Sequence, residues 1–150
     1  EKVWIDTSTY LRRQAVAKTE GAAGEKPAKA EKMTRSMPAA SSIWVVPSDI
    51  GRRYGAVSGD RNPIHLYAAT AKLLGFPQAI AHGMWSKAAC LAALDGRLPN
   101  AYRVDVQFKL PVLLPAKVAF SSEATANGYN FSVNDARKGK PHLAGTITAL

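Results

Sequence analysis

The stretch AHGMWSKAACLAALDG, residues 81–96, decides how the chain is read. From Met84 to Leu94 it is apolar on nearly every side, which predicts a helix enclosed by other structure. The segments that could enclose it follow directly. AYRVDVQFKLPVLL (101–114), AKVAFSSEATA (116–126), YNFSVNDAR (129–137) and HLAGTITAL (142–150) read as strands. Their lengths, and the Asn-Gly and Lys-Gly-Lys turns between them, suit antiparallel pairing. Upstream, IWVV (43–46) is a short strand, and PSDIGRRYGAVSGD (47–60) holds a helical turn or two opened by Pro47. NPIHLYAATAKLLGF (62–76) carries helix punctuation: Asn62 as N-cap, Pro63 at the first helical position, Gly75 past the end. The order predicts an α+β fold, an antiparallel sheet wrapped around a long central helix at about 83–94.

The 150 residues suit one domain, and nearly half of them are apolar, enough for a core. Residues 1–16, with VWIDTSTYLRR, read as one strand. Residues 17–40 are dominated by Ala, Lys, Glu, Gly and Pro and read as a flexible linker. The packed domain is expected over 41–150. The net charge of +9 points to an anionic partner. Its even spread along the chain, with few aromatics among the Lys and Arg, argues against nucleic acid. No apolar run approaches the roughly 18 residues that span a bilayer, and the N-terminus has no signal-peptide core. A single Cys90 fits a reducing, cytoplasmic setting.

The chemistry centres on SGDRNPIH, residues 58–65. With Asn62 as the cap, His65 falls in the first turn of a helix, where the dipole favours the neutral imidazole that a general base needs. Asp60 lies just before the cap, and its carboxylate could share one water with His65. Such a pair can take a proton from water and return one, as adding water to a double bond requires. The plainer reading makes Asp60 and Asn62 turn and cap residues and His65 a satisfied surface histidine. Gly83 stands at the mouth of the apolar helix, where its N–H could meet a carbonyl oxygen that gains negative charge. The plainer reading there is a small residue in a tight turn. On the residues alone the plainer readings carry more weight. His82 reads as a packing or capping residue with a possible second role beside the substrate. His142 reads as solvent-facing, and Cys90 as a small core residue. Three scattered histidines and one cysteine give no metal-ligand spacing, so no metal is expected. No Gly-rich phosphate loop and no G-x-S-x-G elbow are present.

Three linked segments, YGAVSGDRNPIHLY, GFPQAIAHGMWSKA and VQFKLPVLLPAKVAF, with 23 residues from Asp60 to Gly83, resemble the MaoC-like dehydratases, the R-specific enoyl-CoA hydratase (hydratase 2) group. The resemblance covers 41–150 and reverses the weighting above. It implies a hot-dog fold, Asp60 and His65 as the catalytic dyad, and the Gly83 N–H as oxyanion hole. Asn62, Ser58, His82 and Met84 become candidate substrate-binding neighbours. The implied reaction is reversible hydration of a trans-2-enoyl thioester to an (R)-3-hydroxyacyl thioester. No separate cofactor is implied, since coenzyme A or acyl-carrier protein arrives as part of the substrate.

Many members carry Asp-Pro two and three residues after the motif histidine. This chain has Tyr67-Ala68 and looks more like the double-hot-dog branch. On that resemblance residues 1–16 are the last strand of a preceding repeat, and the chain is the catalytic C-terminal half, paired with a second hot-dog. A carrier-protein dehydratase and a non-catalytic thioester-binding hot-dog subunit are the alternatives. Arg52, Arg53, Lys72, Arg103, Lys109 and Lys117 are the candidate phosphate contacts, set against the reading that they are solvated surface charge.

Overall fold

A computed structural model describes residues 3–9 and 41–150. Val3–Thr9 form neither strand nor helix. Residues 3–9 are the described part of the strand expected over 1–16. Its remainder, and the linker at 17–40, lie outside the described residues.

The domain runs β1 (Ser42–Val46), α1 (Ile50–Ser58), α2 (Pro63–Leu66), α3 (Ala68–Leu73), α4 (Gly83–Ala93), β2 (Tyr102–Phe108), β3 (Ala116–Thr125), β4 (Gly128–Asp135) and β5 (Pro141–Ala149). The five strands form one sheet in the order β1-β3-β4-β5-β2, with every pair antiparallel. Alternate residues of the central strands turn inward and are buried: Val118 and Phe120, Phe131 and Val133, Leu143 and Ile147. Trp44 stacks on Phe120 with ring centroids 4.8 Å apart and ties edge strand β1 to this layer. Each such side chain contributes roughly 1.5–3 kcal/mol on burial. The β3–β4 turn closes on Gly128, whose φ of +147° is open to glycine alone. Asp135 organises the β4–β5 turn by accepting from the Arg137 and Lys138 amides at 3.0 and 2.6 Å.

Three expectations change. The expected helix over 62–76 is two helices, broken at Tyr67, which is extended with φ −141° and ψ 146°. The break frees the Ile64 carbonyl, which accepts from the Ile80 amide at 3.1 Å instead of from the next helical turn. Helix α4 is not enclosed all round. Ser86, Cys90 and Leu94, four residues apart, form its buried line, while Met84, Ala88 and Ala92 are exposed on the other side. The apolar surroundings push the Cys90 thiol up to about 12, as befits the small core residue expected. The strand expected over 101–114 ends at Phe108. Residues 112–114 instead bond to 79–81: Ala81 N–H donates to Val112 O at 2.9 Å and Leu114 N–H to Ala79 O at 2.8 Å. Among the described residues no helix is long and apolar enough to cross a membrane.

Candidate active site

The loop between α1 and α2 builds itself from local hydrogen bonds. The Ser58 hydroxyl donates to Tyr54 O at 2.9 Å and accepts from the Asp60 amide at 3.2 Å. The Asp60 carboxylate accepts from the Asn62 amide at 3.1 Å, and the Asn62 side chain accepts from the Ile64 amide at 3.4 Å. Asn62 is the expected N-cap, with Pro63 as the first helical residue. Ser58 and Asn62 thus bond to the chain itself and hold Asp60 in place.

His65 comes from α2, which is a single turn of four residues. A helix that short has little macrodipole, so the dipole argument for His65 gives way to a more direct one. Its Nδ1–H donates to the Ile80 carbonyl at 2.8 Å. A carbonyl only accepts, so Nδ1 carries the proton and Nε2 keeps its lone pair. The tautomer that a general base needs is fixed by a backbone oxygen. Ile80 meets α2 with both its amide and its carbonyl, which locks this contact.

His82 lies beneath the loop and is 2% exposed. Its ring stacks on His65 with centroids 3.7 Å apart, and its Nε2–H donates to the Asp60 carbonyl at 3.1 Å. Burial, then the neighbouring His65, lower its pKa, against the raising pull of Asp60. Asp60, His65 and His82 each offer a donor atom within 4.8 Å of the others, although sequence spacing suggested no such cluster. A separation of no more than 4.8 Å between donor atoms of Asp60 and His65 is one that a single water can bridge with hydrogen bonds of about 2.8 Å.

Beside His65 opens a cavity of about 310 Å³. Phe76, Ile80, Phe108, Leu110 and Val112 give it apolar walls, and Gly83, Ser86 and His142 also face it. Gly83 is the first residue of α4, so its N–H has no acceptor within the helix. A Cβ at position 83 would come within 3.1 Å of the Phe108 ring, so glycine lets this backbone stand close to the cavity. Asp60 does not line the cavity, and its side chain is 54% exposed. His82 and Met84 do not line the cavity: His82 is buried behind the loop, and Met84 is on the exposed side of α4. His142, expected to face solvent, lines the cavity and donates from Nδ1 to Leu110 O at 3.0 Å. Ser86 was open to detection, since it lies three residues after Gly83 and so on the same helix face. Phe108 and His142 arrive from distant strands and carry no local signal.

The MaoC-like domain family matches residues 18–145. This chain belongs to the MaoC-like family. The chain is 39% identical over 147 residues to 3-hydroxyacyl-thioester dehydratase X of Mycobacterium tuberculosis, covering 98% of the chain and 51% of that protein. A crystal structure of HtdX from the same organism superposes with a TM-score of 0.73 at 35% identity, over 94% of this chain and 53% of that one. R-hydratase PhaJ1 from Pseudomonas aeruginosa superposes with a TM-score of 0.57 at 32% identity, over 72% of this chain and 77% of that one. The MaoC-like domain is a hot-dog: its antiparallel sheet curls along α4, as the resemblance implied. The chain spans about half the length of the dehydratase it matches.

Proposed function

We propose that the MaoC-like domain interconverts trans-2-enoyl and (R)-3-hydroxyacyl thioesters by adding or removing water. One observation carries this reading. Asp60 and His65 bring donor atoms within 4.8 Å, with the Nε2 lone pair of His65 left free by its Nδ1 bond to Ile80. In hydration, a water between the two gives up a proton to the dyad as its oxygen bonds to C3. The electron pair of the double bond moves through C2 onto the thioester oxygen. The Gly83 N–H stabilises that enolate-like oxygen. The dyad then returns a proton to C2, so the sum is one water added and the enzyme unchanged. Dehydration is the reverse. The apolar cavity takes the acyl chain, and Lys109, which lines it and donates to the Gln107 side chain at 2.7 Å, is the candidate contact for a carrier phosphate. No cofactor is needed, because coenzyme A or carrier protein comes as part of the substrate. The names of the dehydratase from M. tuberculosis and of the R-hydratase PhaJ1 agree with this reading.

The exposure of Asp60 favours a second feature: another hot-dog, either a first half of a longer protein or a second copy, pairs with this one and completes the acyl pocket. The exposed Met84, Ala88 and Ala92 of α4 and edge strand β2 offer the surface for it. If the domain alone only holds thioesters, this partner supplies what is missing. The test is loss of enoyl-thioester absorbance with crotonyl-CoA and with a long-chain trans-2-enoyl-CoA. Turnover that Asp60→Asn and His65→Gln each lower by about a hundredfold or more supports the dyad. A folded protein inactive on both substrates sinks hydratase activity of the domain on its own.

A further inference from the structure

We propose that His82 is a positioning residue for both members of the dyad. This rests on the reading of Asp60 and His65 given above. Its Nε2–H holds the Asp60 carbonyl at 3.1 Å, and Nε2 lies 3.7 Å from the Asp60 carboxylate. One face of the same ring stacks on His65 at 3.7 Å and 28°, and the Tyr54 ring meets it at 5.0 Å and 52°. The residue that touches both dyad members also immediately precedes Gly83, so a single backbone joins their support to the helix start that presents the proposed oxyanion donor.

The chemistry of the contact fixes which nitrogen of His82 carries a proton. The Asp60 carbonyl can only accept, so the proton sits on Nε2. Nδ1 is buried without a hydrogen-bond partner. A second proton placed there would have no acceptor. The groups facing His82 are Tyr54 from α1, Asp60 from the loop and His65 from α2. A plain packing residue would need only the ring. A plain loop tie would need only the N–H. His82 supplies both at once, which is why one side chain can set the Asp60 loop and the plane of the His65 ring together.

Two substitutions separate these parts in the full chain. His82→Phe keeps a ring against His65 and removes the donor. His82→Gln keeps a donor near the Nε2 position and removes the ring. Circular dichroism checks that each variant is folded. His82→Phe should lower kcat by about tenfold or more with KM changed by less than about threefold, because an Asp60 loop displaced by a fraction of an ångström misplaces the water. His82→Gln should recover part of that loss. Imidazole NMR reads the second contact without any turnover. The His65 ring protons lose the shielding of the stacked ring in His82→Gln and keep it in His82→Phe. Folded variants with kcat within about twofold of the parent protein, or a His65 spectrum unchanged by His82→Gln, would overturn the proposal. If the parent protein turns over no substrate, the NMR comparison still decides the contact to His65, and only the hydratase reading has failed.

Discussion

Gly51 and Gly83 both sit at helix starts near the site, but their substitutions should fail differently. A Cβ at Gly51 runs into the carbonyl oxygen of His65, and backbone cannot swing aside. Gly51→Ala should cost about 3 kcal/mol in urea unfolding and move α2 with its histidine. At Gly83 the obstacle is the Phe108 ring, a half-exposed side chain that can turn. Gly83→Ala should leave the unfolding midpoint nearly unchanged and lower kcat by about tenfold, because the displaced ring intrudes on the cavity. His82 adds a pH effect. Unfolded, it takes up a proton near its ordinary value of 6.5, and folded it resists until lower pH. Between the two the unfolded chain binds more protons, so stability drops as pH falls through 6.5. Urea midpoints at about pH 7.5 and about pH 5.5 should show the decline, and His82→Gln should flatten it. At this scale the sequence was legible where chemistry is local. Asp60, Asn62 and Pro63 form one turn, and their roles follow from turn and cap preferences. The bond from His65 to Ile80 spans 15 residues and that from His82 to Asp60 spans 22, so neither leaves a pattern in the sequence.

At the scale of elements, the strands β1, β3, β4 and β5 fall close to where alternation and turn residues put them, because half-buried strands write their pattern directly. The break at Tyr67 is invisible, since Ala68, Ala69 and Ala71 favour continuing the helix. It is decided by a distant amide, that of Ile80, which claims the Ile64 carbonyl. Helix α4 was expected to be enclosed because its composition is apolar throughout. One line of it meets this sheet, and the apolar residues Met84, Ala88 and Ala92 remain on its outer side.

For the whole molecule, that outer side and edge strand β2 make pairing the expectation in solution. Light scattering at micromolar concentration should give a mass above that of one chain. Ala88→Arg with Ala92→Arg should reduce it toward a single chain, and turnover should fall with it, while circular dichroism stays the same. A single-chain mass with full turnover would remove the need for a partner.

The clamp on Ile80 separates two jobs that many sites entangle. Everything that fixes the His65 tautomer at that position belongs to the main chain, and the side chain is spent on the cavity wall. On the proposed hydratase reading, the room for an acyl chain can therefore be redrawn at residue 80, by a smaller or larger apolar group, while His65 keeps its proton on the same nitrogen. Selection, or an engineer, can then reshape the cavity without disturbing the histidine beside it.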